Sequence, residues 1–390
     1  MNPPRSRPIN PSSPQSPALF IDTHADTPQR FADEAWNFTD DLDGGHLNLA
    51  SARAANLSAE FFAIWPEPTQ WRGRFAHRTL QLIDAVHGQL RRYPQHLRLC
   101  LSADDILNAH ADARFGVLLG IEGGHAIENS LALLRTYFQL GVRYMTLTWA
   151  NSNDWADSSG DLNNPAVPHH HGLTPFGKEV VQEMNRLGMM VDVSHVSDPT
   201  LADVLATSRA PVLASHSCAR ALTAAPRNLT DEQLRAIASN GGAVMVNFYP
   251  AFIDEQWRTA WNALTPERHA AQARLEAEFA PRGIPIPYKV SNAIDREFAA
   301  RIGRPPLSSL IDHIDHIART AGIDHVGIGT DFDGISALPQ GIDSAADLPK
   351  VTAALAARGY LPHQLAKIVG GNLLRVLREV QSAAETSATP

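Results

Sequence analysis

The sequence pattern predicts an α/β fold, a single (β/α)8 TIM-type barrel. Eight short runs of apolar and β-branched residues alternate with longer segments of helical spacing, as expected of βα units around a parallel sheet. Eight is the number that closes such a barrel, and 390 residues leave room for one large barrel with additions. Glycine punctuation agrees. Gly141, Gly188 and Gly322 each follow a helical segment and precede an apolar run, where a left-handed helix end suits glycine.

Taken in order, the predicted strands are 18–26, 57–65, 115–122, 142–149, 189–195, 212–216, 243–249 and 325–331. Helical spacing is evident over 74–93, 130–140, 175–187 and 201–206, and Thr230, followed by Asp231 and Glu232, opens another helix with an N-cap hydroxyl and acidic residues suited to its dipole. A charged, alanine-rich stretch, 251–306, separates the seventh strand from its helix. It reads as an insertion that covers the barrel mouth, forms a subunit contact or runs as a solvated excursion. The barrel domain is expected over 18–380, with a proline- and serine-rich disordered arm at 1–17 and a disordered tail at 381–390.

Composition excludes some function classes. Hydrophobic residues at 44% with 19% charged can bury a sizeable core, yet no uncharged apolar run approaches the roughly 18 residues of a membrane span. A net charge of -8 without a basic patch argues against nucleic acid as a partner. Cys100 and Cys218 make neither a disulfide framework nor a zinc–thiolate spacing, and the arm lacks the apolar core of a secretory signal. The cytoplasm is therefore the expected setting, or the periplasm or exterior if a leader has been removed.

In such barrels the active site is built at the carboxyl ends of the strands, so polar residues that end apolar runs carry the most weight. The first run ends Asp22-Thr23-His24-Ala25-Asp26, and strand periodicity puts His24 and Asp26 on one face, where both can reach one cation. The third ends in Glu122 before two glycines. A buried carboxylate there needs a partner, either an ion pair with Arg143 or a pair of metals bridged by its two oxygens. The fifth and sixth both end Ser-His, at His195 and His216, which brings two imidazoles side by side. The eighth ends with Asp331 and Asp333 on one strand face; Asp333, before Gly334, reads as a turn residue, whereas Asp331 is placed for acid–base work beside a dinuclear centre.

Three histidines and three carboxylates at five strand ends, without thiolate, suit two zinc ions, with manganese or cobalt as substitutes. Glu122 would join His24 and Asp26 on one metal to His195 and His216 on the other, and a hydroxide between them would attack a carbonyl or phosphoryl centre. The triplet His169–His171 lies in a proline- and asparagine-rich loop and reads as a solvated tip, and His313 and His316 read as packing or surface residues of an outer helix.

Seven motifs in the same order resemble the membrane dipeptidase (renal dipeptidase) family, a branch of the amidohydrolase-like metal-dependent barrels. They are I-D-T-H-A-D, G-I-E-G-G, the stretch G-L-T-P-F-G-K-E-V-V-Q-E-M-N-R-L-G ending in D-V-S-H, A-P-V-L-A-S-H-S, P-R-N, V-M-V-N-F-Y and G-T-D-F-D-G. The resemblance runs from about Phe20 to Leu377. It implies a dinuclear zinc enzyme hydrolysing dipeptides, often with a D-residue at the C-terminal position, and commonly a homodimer. It further implies His24, Asp26, His195 and His216 as ligands, Glu122 as the bridge, Asp331 as the catalytic aspartate, and Arg227 as the arginine that holds the substrate carboxylate.

One position departs from the family pattern. Trp149 stands where many members have a histidine that contacts the substrate and its developing oxyanion, and an indole N–H donates one hydrogen bond but carries no charge. Asn151 and Asn153 are the alternative donors. Two further readings compete with the dipeptidase: the same centre acting on another small amide, such as an N-acyl amino acid, and a non-catalytic peptide-binding barrel.

Overall fold

The computed structural model describes residues 19–384, so the expected arm over 1–17 lies outside the described residues. Nine strands occur in chain order: β1 (Phe20–Ala25), β2 (Leu57–Ile64), β3 (Leu97–Leu99), β4 (Phe115–Glu122), β5 (Val142–Thr146), β6 (Met190–Asp192), β7 (Leu213–Ser217), β8 (Ala243–Val246) and β9 (Val326–Ile328). Eight of them make the wall in the order β1-β2-β4-β5-β6-β7-β8-β9, every neighbouring pair parallel. The ring closes at its carboxyl end, where Ala25 bridges Phe332, Asp26 N donates to Phe332 O at 2.8 Å and Asp331 N donates to His24 O at 3.0 Å. This is the predicted α/β barrel.

Two differences from the predicted strands have physical causes. β3 adds to the amino half of β4 outside the ring, through Leu97 opposite Phe115, and its three residues are too few to show alternation in a sequence. β6 and β9 have three residues each where seven were expected. Their chains leave the ladder just before the polar residues, and His195 and Asp331 take positive φ values of 69° and 63°.

The helices follow the pattern. In Phe75–Arg92 the buried positions Thr79, Leu82, Ile83, Val86 and Gln89 fall on one face. Thr230 caps the helix Asp231–Ser239 in a capping box with Gln233. Gly188 ends its helix in the left-handed region, at φ 78° and ψ 30°, but Gly322 does not: at φ 98° and ψ 152° it turns directly into the strand approach. The last helix, Asn372–Ser382, runs two residues past the expected end of the barrel domain.

The stretch 251–306 is mostly helical, with Glu255–Ala263, Thr265–Phe279 and Tyr288–Ala299 as its main elements. Trp257 and Trp261, one turn apart and stacked at 5.1 Å, pack with Phe298 and Ala299 into a small core of its own. Its helices lie over the carboxyl end of the barrel and line the cavity there. Among the described residues no helix is long and apolar enough to cross a membrane.

Candidate active site

The strand ends bring His24, Asp26, Glu122, His195 and His216 into one cluster. Glu122, at the tip of β4, is buried and has its two oxygens divided. Oε2 lies 3.5 Å from His24 Nε2, while Oε1 lies 2.9 Å from His195 Nε2 and 3.4 Å from His216 Nε2. Asp26 Oδ2 lies 3.6 Å from His24 Nε2. Arg143, the other candidate partner for Glu122, spends its guanidinium on the carbonyls of Leu101, Phe138 and Val142.

Buried hydrogen bonds fix which nitrogen two of these histidines present. Tyr144 Oη donates its proton to Thr23 O at 3.1 Å, so at 2.9 Å from His24 Nδ1 it must accept. Ser215 Oγ likewise donates to Asp192 Oδ2 at 2.6 Å and accepts from His216 Nδ1 at 2.8 Å. Both imidazoles therefore point Nε2 toward Glu122, and His216 Nε2 also lies 2.9 Å from His195 Nε2. Asp192 is held in turn by Thr146 Oγ1 at 2.5 Å and by the amides of Ser194 and Ser215.

Electrostatics divide the cluster: against its burial, Tyr144, Glu122 and Asp26 hold His24 well above the usual imidazole range, so a metal there displaces a proton, whereas the other two histidines are shifted down. Burial, reinforced by Arg227, pushes His195 down to about 4, and burial with His24 beside it holds His216 well below the usual imidazole range. Neutral imidazole is the form that binds metal. Glu122 is held well below the ordinary carboxylate value because the three histidines outweigh its burial. Asp331 is shifted the other way by burial, with Glu122 adding to it, and its Oδ2 accepts from Asn247 Nδ2 at 2.8 Å.

The donor set fits cations. His24 Nε2 is buried without a hydrogen-bond partner, and two groups, His24 with Glu122 and His216, and His24 with Asp26 and Asp331, have ligand atoms all within 4.8 Å of one another. Imidazole and carboxylate without thiolate match zinc, manganese or cobalt.

The cluster opens into a cavity of about 1260 Å³ roofed by the 251–306 helices. Arg227 lines it, donating to His216 O at 3.0 Å and Ser217 Oγ at 3.3 Å, and among the described residues it forms no ion pair. Trp149 lines it too, but the expected alternative donors do not. Asn151 and Asn153 stand outside the lining and donate to Ser152 O and Leu147 O within their own loop.

Asp333 does occupy a turn, with φ 64°, and is also buried, accepting from Thr27 Oγ1 at 2.7 Å and His46 N at 2.6 Å. His313 is a packing residue whose Nδ1 accepts from Ala219 N at 3.0 Å, His316 pairs with Asp231 at 2.7 Å, and His170 Nε2 sits 3.1 Å from Asn153 O in its loop. Tyr144 and Asn247, which hold His24 and Asp331, escaped sequence reasoning, although Asn247 lies inside V-M-V-N-F-Y.

The membrane dipeptidase (peptidase family M19) profile matches residues 15–390. The chain belongs to this family. Its curated relatives include dipeptidase tcpJ of Claviceps purpurea, 32% identical over 360 residues that cover 90% of this chain and 73% of that protein. Among solved structures, the probable dipeptidase PvdM from Pseudomonas aeruginosa superposes with a TM-score of 0.79 at 29% identity, covering 94% of this chain and 96% of that one. A metallo peptidase from Rhodobacter sphaeroides liganded with a phosphinate mimic of the dipeptide L-Ala-D-Ala gives 0.74 at 26% identity, covering 93% and 99%. This membrane dipeptidase family member is accordingly a metal-dependent peptide-bond hydrolase, and its candidate ligands lie where the barrel builds its site.

Proposed function

We propose that the chain is a dinuclear zinc dipeptidase in which His24 and Asp26 hold one ion, His195 and His216 hold the other, and Glu122 bridges them. The observation that carries this reading is the division of the Glu122 oxygens, one toward His24 and one toward His195 and His216. Zinc bound there supplies a nucleophilic water near neutral pH and a Lewis acid for the scissile carbonyl.

The chain's own residues do the rest. Arg227, a cation that lines the cavity and forms no ion pair among the described residues, takes the substrate's terminal carboxylate through its planar fork. Asp331, held by Asn247, accepts the proton of the attacking water on its free oxygen and delivers it to the departing amine. A D-residue at the C-terminal position fits the reading, since a relative of the same fold binds a mimic of L-Ala-D-Ala.

The test combines metal content and turnover. Chelator-treated protein should lose dipeptide hydrolysis and regain it with about two zinc ions per chain, and Asp331→Asn should retain zinc while its kcat falls at least roughly 100-fold. Normal turnover by Asp331→Asn would overturn the proton-transfer role. Faster hydrolysis of N-acyl amino acids than of dipeptides would reassign the substrate, and near-zero zinc would favour a binding protein.

A further inference from the structure

The cavity carries an aromatic wall that the chemistry above does not use. Trp65 follows β2 directly, Trp149 lies just beyond β5, and Tyr288 opens a helix of the roof. The two indoles pack at 4.8 Å between centroids, Tyr288 meets Trp65 edge-on at 6.3 Å, and Trp149 reaches His195 at 6.3 Å. Tyr288 Oη is anchored on Asp333 O at 2.6 Å, and Gln29 Nε2 holds Trp65 O at 2.7 Å. All three rings line the same cavity as Glu122, Arg227 and Asp331.

Barrel order gives the wall its place relative to a substrate. Arg227 is tied to the carbonyl of His216 on β7, and β7 stands four strands from β2 in either direction around the ring. A dipeptide with its carboxylate on Arg227 and its scissile carbonyl at Glu122 therefore extends its N-terminal residue across the mouth, away from β7. Three fixed rings there offer apolar area to a large side chain and little to a hydrogen atom.

We propose that Trp65, Trp149 and Tyr288 form the pocket for the substrate's N-terminal side chain and select dipeptides that begin with an aromatic or large apolar residue. The proposal rests on the dipeptidase reading for the orientation of the substrate. Trp149 is then a specificity residue whose indole packs against the substrate.

The experiment compares L-Phe-L-Ala with Gly-L-Ala on the zinc-loaded full chain, so that only the N-terminal side chain differs. The expected kcat/KM ratio is roughly 10 or more in favour of Phe-Ala. Trp149→Ala should bring that ratio to within about threefold of unity, and Trp149→Phe should keep most of it. Should Trp149→Ala not fold, Trp65→Leu should lower the ratio in the same direction. A wild-type ratio near one, or a ratio indifferent to these changes, overturns the pocket. If neither dipeptide is hydrolysed, the dipeptidase reading fails by itself and calorimetric binding of the same two dipeptides decides the wall. Tighter binding of Phe-Ala that Trp149→Ala abolishes supports it, and equal affinities overturn it.

Discussion

Replacing Tyr144 by phenylalanine isolates the hydrogen bond that aims His24. The ring is fully buried, tilted against Phe61 at 5.0 Å between centroids, and the substitution leaves that packing in place. What disappears is the oxygen 2.9 Å from His24 Nδ1. The Nδ1–H of the tautomer that presents Nε2 then has no acceptor, which costs roughly 1–3 kcal/mol for a buried donor. That cost falls on the metal-binding tautomer and not on the alternative, so it appears as lost affinity. Zinc binding should weaken by about 10- to 100-fold, the range typical of removing such an outer partner. Competition with a chromophoric chelator measures the affinity, and the nitrogen-15 shifts of His24 in the zinc-loaded chain report the tautomer. A structural role alone would lower the unfolding midpoint and leave the tautomer in place. Zinc affinity within about threefold of the wild type would refute the orienting role.

Three other perturbations follow from the same geometry. Arg227→Lys keeps the charge but loses the planar fork, so KM for dipeptides should rise by about tenfold or more with a smaller change in kcat; steady-state kinetics would show a kcat-only effect if Arg227 did not bind the carboxylate. Burial holds His313 down at about 4, against roughly 6.5 in an unfolded chain, and its Nδ1 must stay unprotonated to accept from Ala219 N. The unfolded state then binds more protons between those values, so this contribution is complete above pH 6.5 and drains as pH falls toward 4, by about 2 kcal/mol at pH 5. His313→Gln should flatten that fall, and an identical pH dependence of the urea midpoint in both proteins would contradict it. In Gly329→Ala the new methyl would meet the backbone oxygen of Ser215 and the Thr23 hydroxyl inside the barrel wall, costing about 1–3 kcal/mol of stability by denaturant titration, with no loss as the contrary result.

The sequence disclosed the barrel and the cluster of candidate ligands because both leave local marks. Apolar runs with helical spacing between them gave eight strands, and a polar residue ending such a run gave each candidate ligand, His216 at the end of Val212-Leu213-Ala214-Ser215 for instance. What it hid depends on side chains meeting across the ring. Tyr144 sits in mid-strand among Val142, Arg143, Met145 and Thr146, with nothing to distinguish it from a core tyrosine. Only the closure of β5 and β1 around one interior puts its hydroxyl beside His24. The aromatic wall was hidden for the same reason, as Trp65 and Trp149 meet only when the barrel brings the ends of β2 and β5 to one mouth, and Tyr288 joins them only when the inserted helices fold back over it. Asn151 and Asn153 show the opposite error, in which nearness along the chain suggested a role that their loop's own backbone already occupies.

The short carboxyl ends of β6 and β9 also bear on chemistry. Left-handed backbone at a non-glycine residue costs on the order of 1 kcal/mol, yet His195, Asp331 and Asp333 all adopt it. Surrounding bonds hold these turns: Ser159 N donates to His195 O at 2.8 Å, and Gly334 N donates to Asp331 O at 3.1 Å. Had β9 continued with period two, Asp331 and Asp333 would share a face and both enter the cavity. The turn separates them, sending Asp333 to Thr27 and His46 while Asp331 stays with Asn247. Gly334 completes the arrangement, because a Cβ there would collide with Asp26 Oδ2 and Asp331 Oδ1. The strain thus leaves three carboxylates, those of Asp26, Glu122 and Asp331, to face the histidines. A fourth would add negative charge to a cavity that Arg227 also lines, and on the proposed reading it would oppose a substrate carboxylate approaching that guanidinium.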